Sequence, residues 1–258
     1  MSDEREHDPT RAIVFLGALL LIWQMLAMLR LWDPLLFPSP WEVIQSIGDS
    51  IGTGRLPIAV GISLRRLAFG YSLSVVIGIV LGTALGRSEM LRSTFGLLLL
   101  GLQALPSICW LPLALLWFGL SETAIFFVVL MGSVLSVAAA TEAGVRNVPP
   151  LYMRAARTMG ARGFTLYRTV VLPAALPQIL IGAKLGWSFA WRSLMAAELL
   201  YVSGGLGQML AMGRELHDMS LVIAVMVVIV VLGLTVERML FGRAESALRS
   251  RWGLATDS

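Results

Sequence analysis

The sequence predicts an all-α integral membrane protein, and three observations lead there. Hydrophobic residues fill 57% of the 258 positions and charged ones only 14%, against about 25% charged in an ordinary soluble domain. Uncharged runs of about eighteen residues recur, long enough to cross a hydrocarbon core as helices. Most basic residues gather in the segments between those runs. Six transmembrane helices fit this spacing, which puts both termini on one side.

Residues 1–11 are polar and mostly acidic, and a tail is expected. From Ala12 to Leu29 eighteen residues carry no charge, so the first span is expected over 12–30. No small-residue cleavage site follows, so it reads as a retained helix rather than a removed signal peptide. Residues 31–56 hold Pro34, Pro38 and Pro40 and then an amphipathic stretch from Trp41 to Ile51, an extracytoplasmic connector. A core of five further spans is expected over 57–240. Arg66 and Arg87 bracket twenty uncharged residues in which Gly70, Ser74, Gly78, Gly82 and Gly86 recur every four positions. Such a ridge admits another helix backbone to backbone, the packing that drives association in lipid.

Between Arg92 and Glu122 there is no charge, but Pro106 and Pro112 interrupt the run. The helix should kink or break there, either for packing alone or because the broken backbone lines a pathway. Thr123 to Thr141 gives the fourth span. The fifth, from about Leu176 to Leu199, contains Lys184, Arg192 and Glu198, each costing a few kcal/mol at mid-bilayer unless it faces protein or water. Lys184 and Ser188 share a face, with Arg192 about 80° further round, a cationic stripe suited to an anionic substrate. The alternative is that Lys184 snorkels to the cytoplasmic boundary and Glu198 to the opposite one. Gly204, Gly205 and Gly207 make a turn, Met219 to Val236 is the sixth span, and residues 241–258 form a basic tail.

The arginines orient the chain. The N-terminal tail, Arg87 with Arg92, the segment 142–173 and the C-terminal tail together with Arg238 hold thirteen; the opposite side holds five, Arg30, Arg55, Arg65, Arg66 and Arg214. By the positive-inside rule the first side is cytoplasmic. Within 142–173, Pro150 can open a helix, where its missing N–H is not needed, and Gly160 can close it in the left-handed conformation. Tyr152, Ala155, Ala156 and Met159 then fall at i, i+3, i+4 and i+7, a weakly apolar face with two small residues at its centre. Arg154 and Arg157 point elsewhere. That face suits a docking protein; a helix resting on anionic headgroups is the other reading, favoured by the five arginines from Arg146 to Arg168.

Ala155, Ala156, Gly160, Val170, Leu172 and Pro173 reproduce, at matching spacing, Glu-Ala-Ala, three residues, Gly, nine residues, Ile, one residue, Leu-Pro. In this the chain resembles the binding-protein-dependent ABC importer permeases. Arg154 stands where the family's glutamate is usual, which would suit a locally acidic partner surface, and Val170 replaces isoleucine. SLRRLAFG from Ser63, LPSICWLPLALLWFG from Leu105 and AAELLYVSGGLG from Ala196 are similar to the nitrate, sulfonate and taurine branch, over about Pro38 to Trp252. The resemblance implies a bacterial inner-membrane permease, usually paired as a homodimer. Two ATPase subunits carrying ATP and Mg would dock on its cytoplasmic coupling helices, and an extracytoplasmic solute-binding protein would deliver the substrate. It assigns the coupling element to Tyr152, Arg154, Ala155, Ala156, Met159, Gly160, Leu172 and Pro173.

Other functions find little support in the residues. No contiguous basic face is interleaved with stacking aromatics, against nucleic acid. Cys109 is alone, and His7 and His217 lie far apart without a metal motif. A phosphate loop needs Gly-Lys-Ser/Thr, whereas the only lysine, Lys184, lies between Ala183 and Leu185. ATP hydrolysis is therefore expected on another chain, and no catalytic residue is assigned here. Glu198 is the one plausible intramembrane carboxylate, so an ion-coupled secondary carrier is the rival reading. A permease for an uncharged or cationic vitamin precursor is the other. Pro106, Pro112, Lys184, Ser188, Arg192 and Glu198 are the candidate pathway residues, and Gly78, Gly82 and Gly86 the candidate packing residues.

Overall fold

The computed structural model describes residues 9–29, 31, 33, 36–200 and 204–251. The expected tail up to residue 8, Pro34 of the connector and the chain end from Trp252 onward lie outside the described residues. All regular structure among the described residues is helical.

Three helices form the centre: α3 (Arg55–Arg87), α6 (Glu122–Arg146) and α9 (Leu172–Leu200). The four-residue ridge of α3 lies against α6. A Cβ added at Gly78 would stand 2.7 Å from that of Val137, and one at Gly86 would stand 2.9 Å from that of Val145. Gly70 likewise abuts Val129. Both series rise together along the chain, so α3 and α6 run parallel. Helix α9 is antiparallel to α6, with Gly182 against Ala140, Gly186 against Val137, and Gly132 of α6 against Ser193. The Tyr71 hydroxyl adds a bond of 2.7 Å to the Ala183 carbonyl. Glycines of α3 and α9, with Gly132 and Gly144 of α6, thus let three backbones pack at close range, where dispersion rather than hydrophobicity supplies the attraction in lipid.

Because α3 and α6 are parallel, the chain between them must return to the starting end. It does so as α4 (Glu89–Gln103) and α5 (Trp110–Phe118), bent by 98° across a short break. The break falls at Pro106, which precedes a single 3₁₀ turn at Ser107–Cys109. Pro112 interrupts nothing, contrary to expectation. It occupies the first turn of α5, where a missing N–H has no intrahelical partner to lose.

Among the described residues four helices are long and apolar enough to cross a membrane, α3, α6, the run Gly163–Leu200 and α11 (Met219–Arg251), and the bent α4–α5 pair counts as a fifth if it is taken as one span. The expected first span is α1 (Pro9–Met28), whose apolar part, Val14–Met28, is shorter than these. The amphipathic connector is α2 (Pro40–Gly52), started by a capping box in which the Ser39 amide donates to the Glu42 carboxylate at 2.7 Å. The final helix runs on through residues assigned to a tail from 241, and Phe241 is buried in the main core.

Candidate functional site

At the Arg87 end of the bundle, α7 (Pro150–Thr158) follows α6. Its far end closes as a Schellman motif. Gly160 takes φ +89°, its amide donates to the Arg157 carbonyl at 3.0 Å, and the Ala161 amide to that of Ala156 at 2.9 Å. Leu151, Tyr152 and Met159 are exposed, Met159 at 82%, as are Arg154, Ala155 and Arg157. Ala156 is buried against its own chain. The two alanines therefore divide: Ala155 belongs to the open face, and Ala156 anchors the helix instead of meeting a partner.

From α7 the chain passes through α8 (Gly163–Leu166) and a π turn at Tyr167–Val171 directly into α9. Pro173 explains the wide turn. It lacks an N–H and crowds the carbonyl of Thr169, four residues back, and a π turn is one of the few ways a helix absorbs such a disruption without stopping. The segment is tied to α3 by a 2.7 Å hydroxyl–hydroxyl bond between Tyr167 and Thr83, and by the Arg87 guanidinium 5.0 Å over the Tyr167 ring. Leu172 and Pro173 of the motif thus sit where the loop becomes the membrane helix.

Further along α9, Arg192 and Phe189 line a cavity of about 320 Å³ with Gln103, Pro106, Ser107, Gly132 and Ser136. Arg192 donates to the Ser188 carbonyl at 3.0 Å and lies over the Phe189 ring at 4.9 Å. Among the described residues no carboxylate pairs with it. Ser188 lies on the other side of Arg192, in a cleft formed with Trp187, Trp191 and α11. Lys184 joins neither. It reaches α11 instead, at 3.2 Å from Glu245 and 3.9 Å from Glu237, so the expected cationic stripe is reduced to Arg192. Of the pathway candidates, the fold brings together Pro106 and Arg192, with Ser188 adjacent; Pro112, Lys184 and Glu198 do not line this cavity.

Glu198 is fully buried at the opposite end of the bundle, beside α10 (Leu206–Glu215). Its partner is Arg66, 1% exposed, at 2.9 Å. Arg66 also binds Glu122 through Nε at 2.8 Å and through a second guanidinium nitrogen. Neither the Glu198 carboxylate nor the Arg66 guanidinium snorkels, and Arg66, counted on sequence among the charges outside the bundle, belongs in its interior. Reasoning from local pattern missed this pair because its members lie far apart in the chain. The available signal was an arginine three residues after Ser63 facing a carboxylate at an equivalent helix end.

Residues 74–241 match the family described as the binding-protein-dependent transport system inner membrane component. The chain belongs to this family. The putative ABC transporter permease protein MJ0413 of Methanocaldococcus jannaschii is 34% identical over 222 residues, covering 84% of this chain and 83% of that protein. The taurine transport system permease TauC of Escherichia coli is 31% identical over 233 residues, 88% and 85% of the two chains. The putative aliphatic sulfonates transport permease SsuC of Bacillus subtilis is 28% identical over 223 residues, 86% and 81%. The inward-facing MetNI methionine ABC transporter shares the fold, with a TM-score of 0.56, 19% identity and coverage of 84% of this permease and 99% of that chain. The permease is thus a multi-pass inner membrane component, and its helical core is that of an ABC permease.

Proposed function

We propose that this permease forms one half of a paired channel through which an ATP-driven importer moves a small organic or inorganic anion, of the sulfonate, taurine or nitrate kind, into the cytoplasm. A soluble binding protein delivers the anion from outside, and α7 receives a separate ATPase subunit, two of which, with ATP and Mg, serve the pair. In this reading α1 completes six spans and both termini are cytoplasmic. One observation carries the reading: a closed, exposed helix continues through a π turn into α9, whose Arg192 lies at a cavity of mixed lining that also holds Gln103, Ser107 and Ser136. A shift of α7 has a continuous covalent path to the cavity wall, and an unpaired guanidinium there favours an anion. Arg154, Arg157 and Arg162 with no acidic residue between Pro150 and Leu166 suit an acidic cleft on the ATPase.

The test is uptake into proteoliposomes holding the permease, its ATPase and its binding protein, with taurine, an alkanesulfonate and nitrate offered in turn. Uptake that needs internal ATP and survives collapse of the proton gradient supports the proposal. Uptake by the permease alone that ends with the gradient would replace it with a secondary carrier.

A further inference from the structure

The buried charges at the Glu198 end take no part in the reading above, yet they are the most completely bonded polar group in the bundle. Glu198 accepts from Arg66 at 2.9 Å, from the Ser63 hydroxyl at 2.7 Å and from the Gly207 amide at 3.1 Å. The Ser63 hydroxyl oxygen accepts in turn from the Leu206 amide at 2.9 Å. Arg66 spans to Glu122, whose side chain is 44% exposed. Four segments therefore meet: α3 through Ser63 and Arg66, α6 through Glu122, α9 through Glu198, and the start of α10 through two backbone amides. The turn is shaped for this approach. A Cβ at Gly205 would overlap the Glu198 carboxylate, and one at Gly207 would lie 2.5 Å from the Glu198 Cβ.

Stability alone gives no reason for such a cluster, since a buried ion pair replaced by apolar side chains of similar volume often costs nothing. What the cluster supplies is fixed geometry. The amides of Leu206 and Gly207 open α10, where no intrahelical carbonyl can bond them, and here they are bonded to α3 and α9 instead.

We propose that Ser63, Arg66, Glu122 and Glu198 are positioning residues that clamp the start of α10 to the three central helices, so that α10 moves as one body with α9. This rests on the coupling reading in one respect: the displacement carried is the one α7 imposes on α9. The clamp takes that displacement to the far end of the bundle, where α10 and the Gly204–Gly207 turn lie.

The test uses the permease in complex with its ATPase and binding protein in lipid nanodiscs and proteoliposomes. The double variant Arg66→Met, Glu198→Met removes both buried charges at similar volume and leaves Glu122 free to be solvated. It should insert and assemble at normal yield, while the Gly207 amide exchanges hydrogen at least about tenfold faster and solute moved per ATP hydrolysed falls severalfold. Ser63→Ala, which changes no charge, should speed exchange at Leu206 and lower the same ratio, and it decides the matter if the double variant does not fold. Slow exchange at both amides together with an unchanged ratio would overturn the clamp. Failure of the coupling reading looks different: the unaltered complex would then show no ATP-dependent uptake, while the exchange rates at Leu206 and Gly207 would still judge the clamp.

Discussion

Gly82 sits where α3 comes nearest to α6, and adding one carbon there is expected to cost stability in a calculable way. In Gly82→Ala the new Cβ would stand 2.5 Å from the Thr141 Cβ and 3.0 Å from the Glu142 amide nitrogen, and would overlap the Ala138 carbonyl oxygen. Ordinary contact between such atoms needs about 3.5–4.0 Å. Two of the three obstacles are backbone, so no rotamer change relieves them and α6 must withdraw by about 1 Å. Withdrawal also loosens the neighbouring contacts of Gly78 and Gly86. Overpacking of this kind costs ~1–3 kcal/mol, against a helix-propensity gain from alanine of about 0.5–1 kcal/mol. The net loss of roughly 1–2 kcal/mol corresponds to a melting temperature lower by about 2–8 °C for a chain of this size. The control is Gly101→Ala on α4, whose Cβ would meet nothing within 4 Å and which should melt at or slightly above the unaltered temperature. Scanning fluorimetry in detergent, following the eight tryptophans, measures both. If Gly82→Ala melted with the control, close backbone packing of α3 on α6 would not be what holds the core.

Three further outcomes are expected. Gly160→Val has space for its side chain but must hold φ +89°, costing about 1–2 kcal/mol or more for a non-glycine residue; uptake should be abolished while membrane insertion, followed by immunoblot of the membrane fraction, stays normal. Arg192→Gln should reduce anion uptake by about tenfold, the equivalent of one lost charge contact of ~1.4 kcal/mol, whereas Lys184→Gln, which loses only its bonds to α11, should leave the apparent affinity for solute unchanged. Arg154→Glu should weaken co-purification of the ATPase at low salt, and added salt should partly restore it, because like charges then face each other and are screened.

Much of the core was legible because its rules are local. A glycine or serine every fourth residue from Gly70 to Gly86 announces a close helix contact, and α6 is where it is met. Pro150 and Gly160 bracket α7 for reasons of backbone geometry alone, and the Schellman bonds follow from them. The capping box at Ser39 and Glu42 was not read, although it needs only a serine three residues before a glutamate. What was hidden depends on distance in the chain. Arg66 read as the edge of a span, because nothing near it reveals a carboxylate 132 residues away. Lys184 read as part of a pathway, because helical phase places a side chain on a face without saying which helix covers that face. Ala156 and Ala155 were indistinguishable by type, and only packing separates the buried anchor from the exposed one.

The central claim is that α7 is the surface through which an ATPase drives this permease, and site-specific cross-linking tests it most directly. With Cys109→Ser as background, Met159→Cys or Tyr152→Cys would be joined to partners in native membranes with a short thiol-reactive cross-linker, and the products sequenced. An ATPase subunit cross-linked at both positions, in a yield that changes when ATP is added, is the expected result. Labelling of both cysteines by lipid-phase reagents, with no ATPase product at any ATP concentration, would show a helix resting on headgroups and would contradict the coupling role of α7.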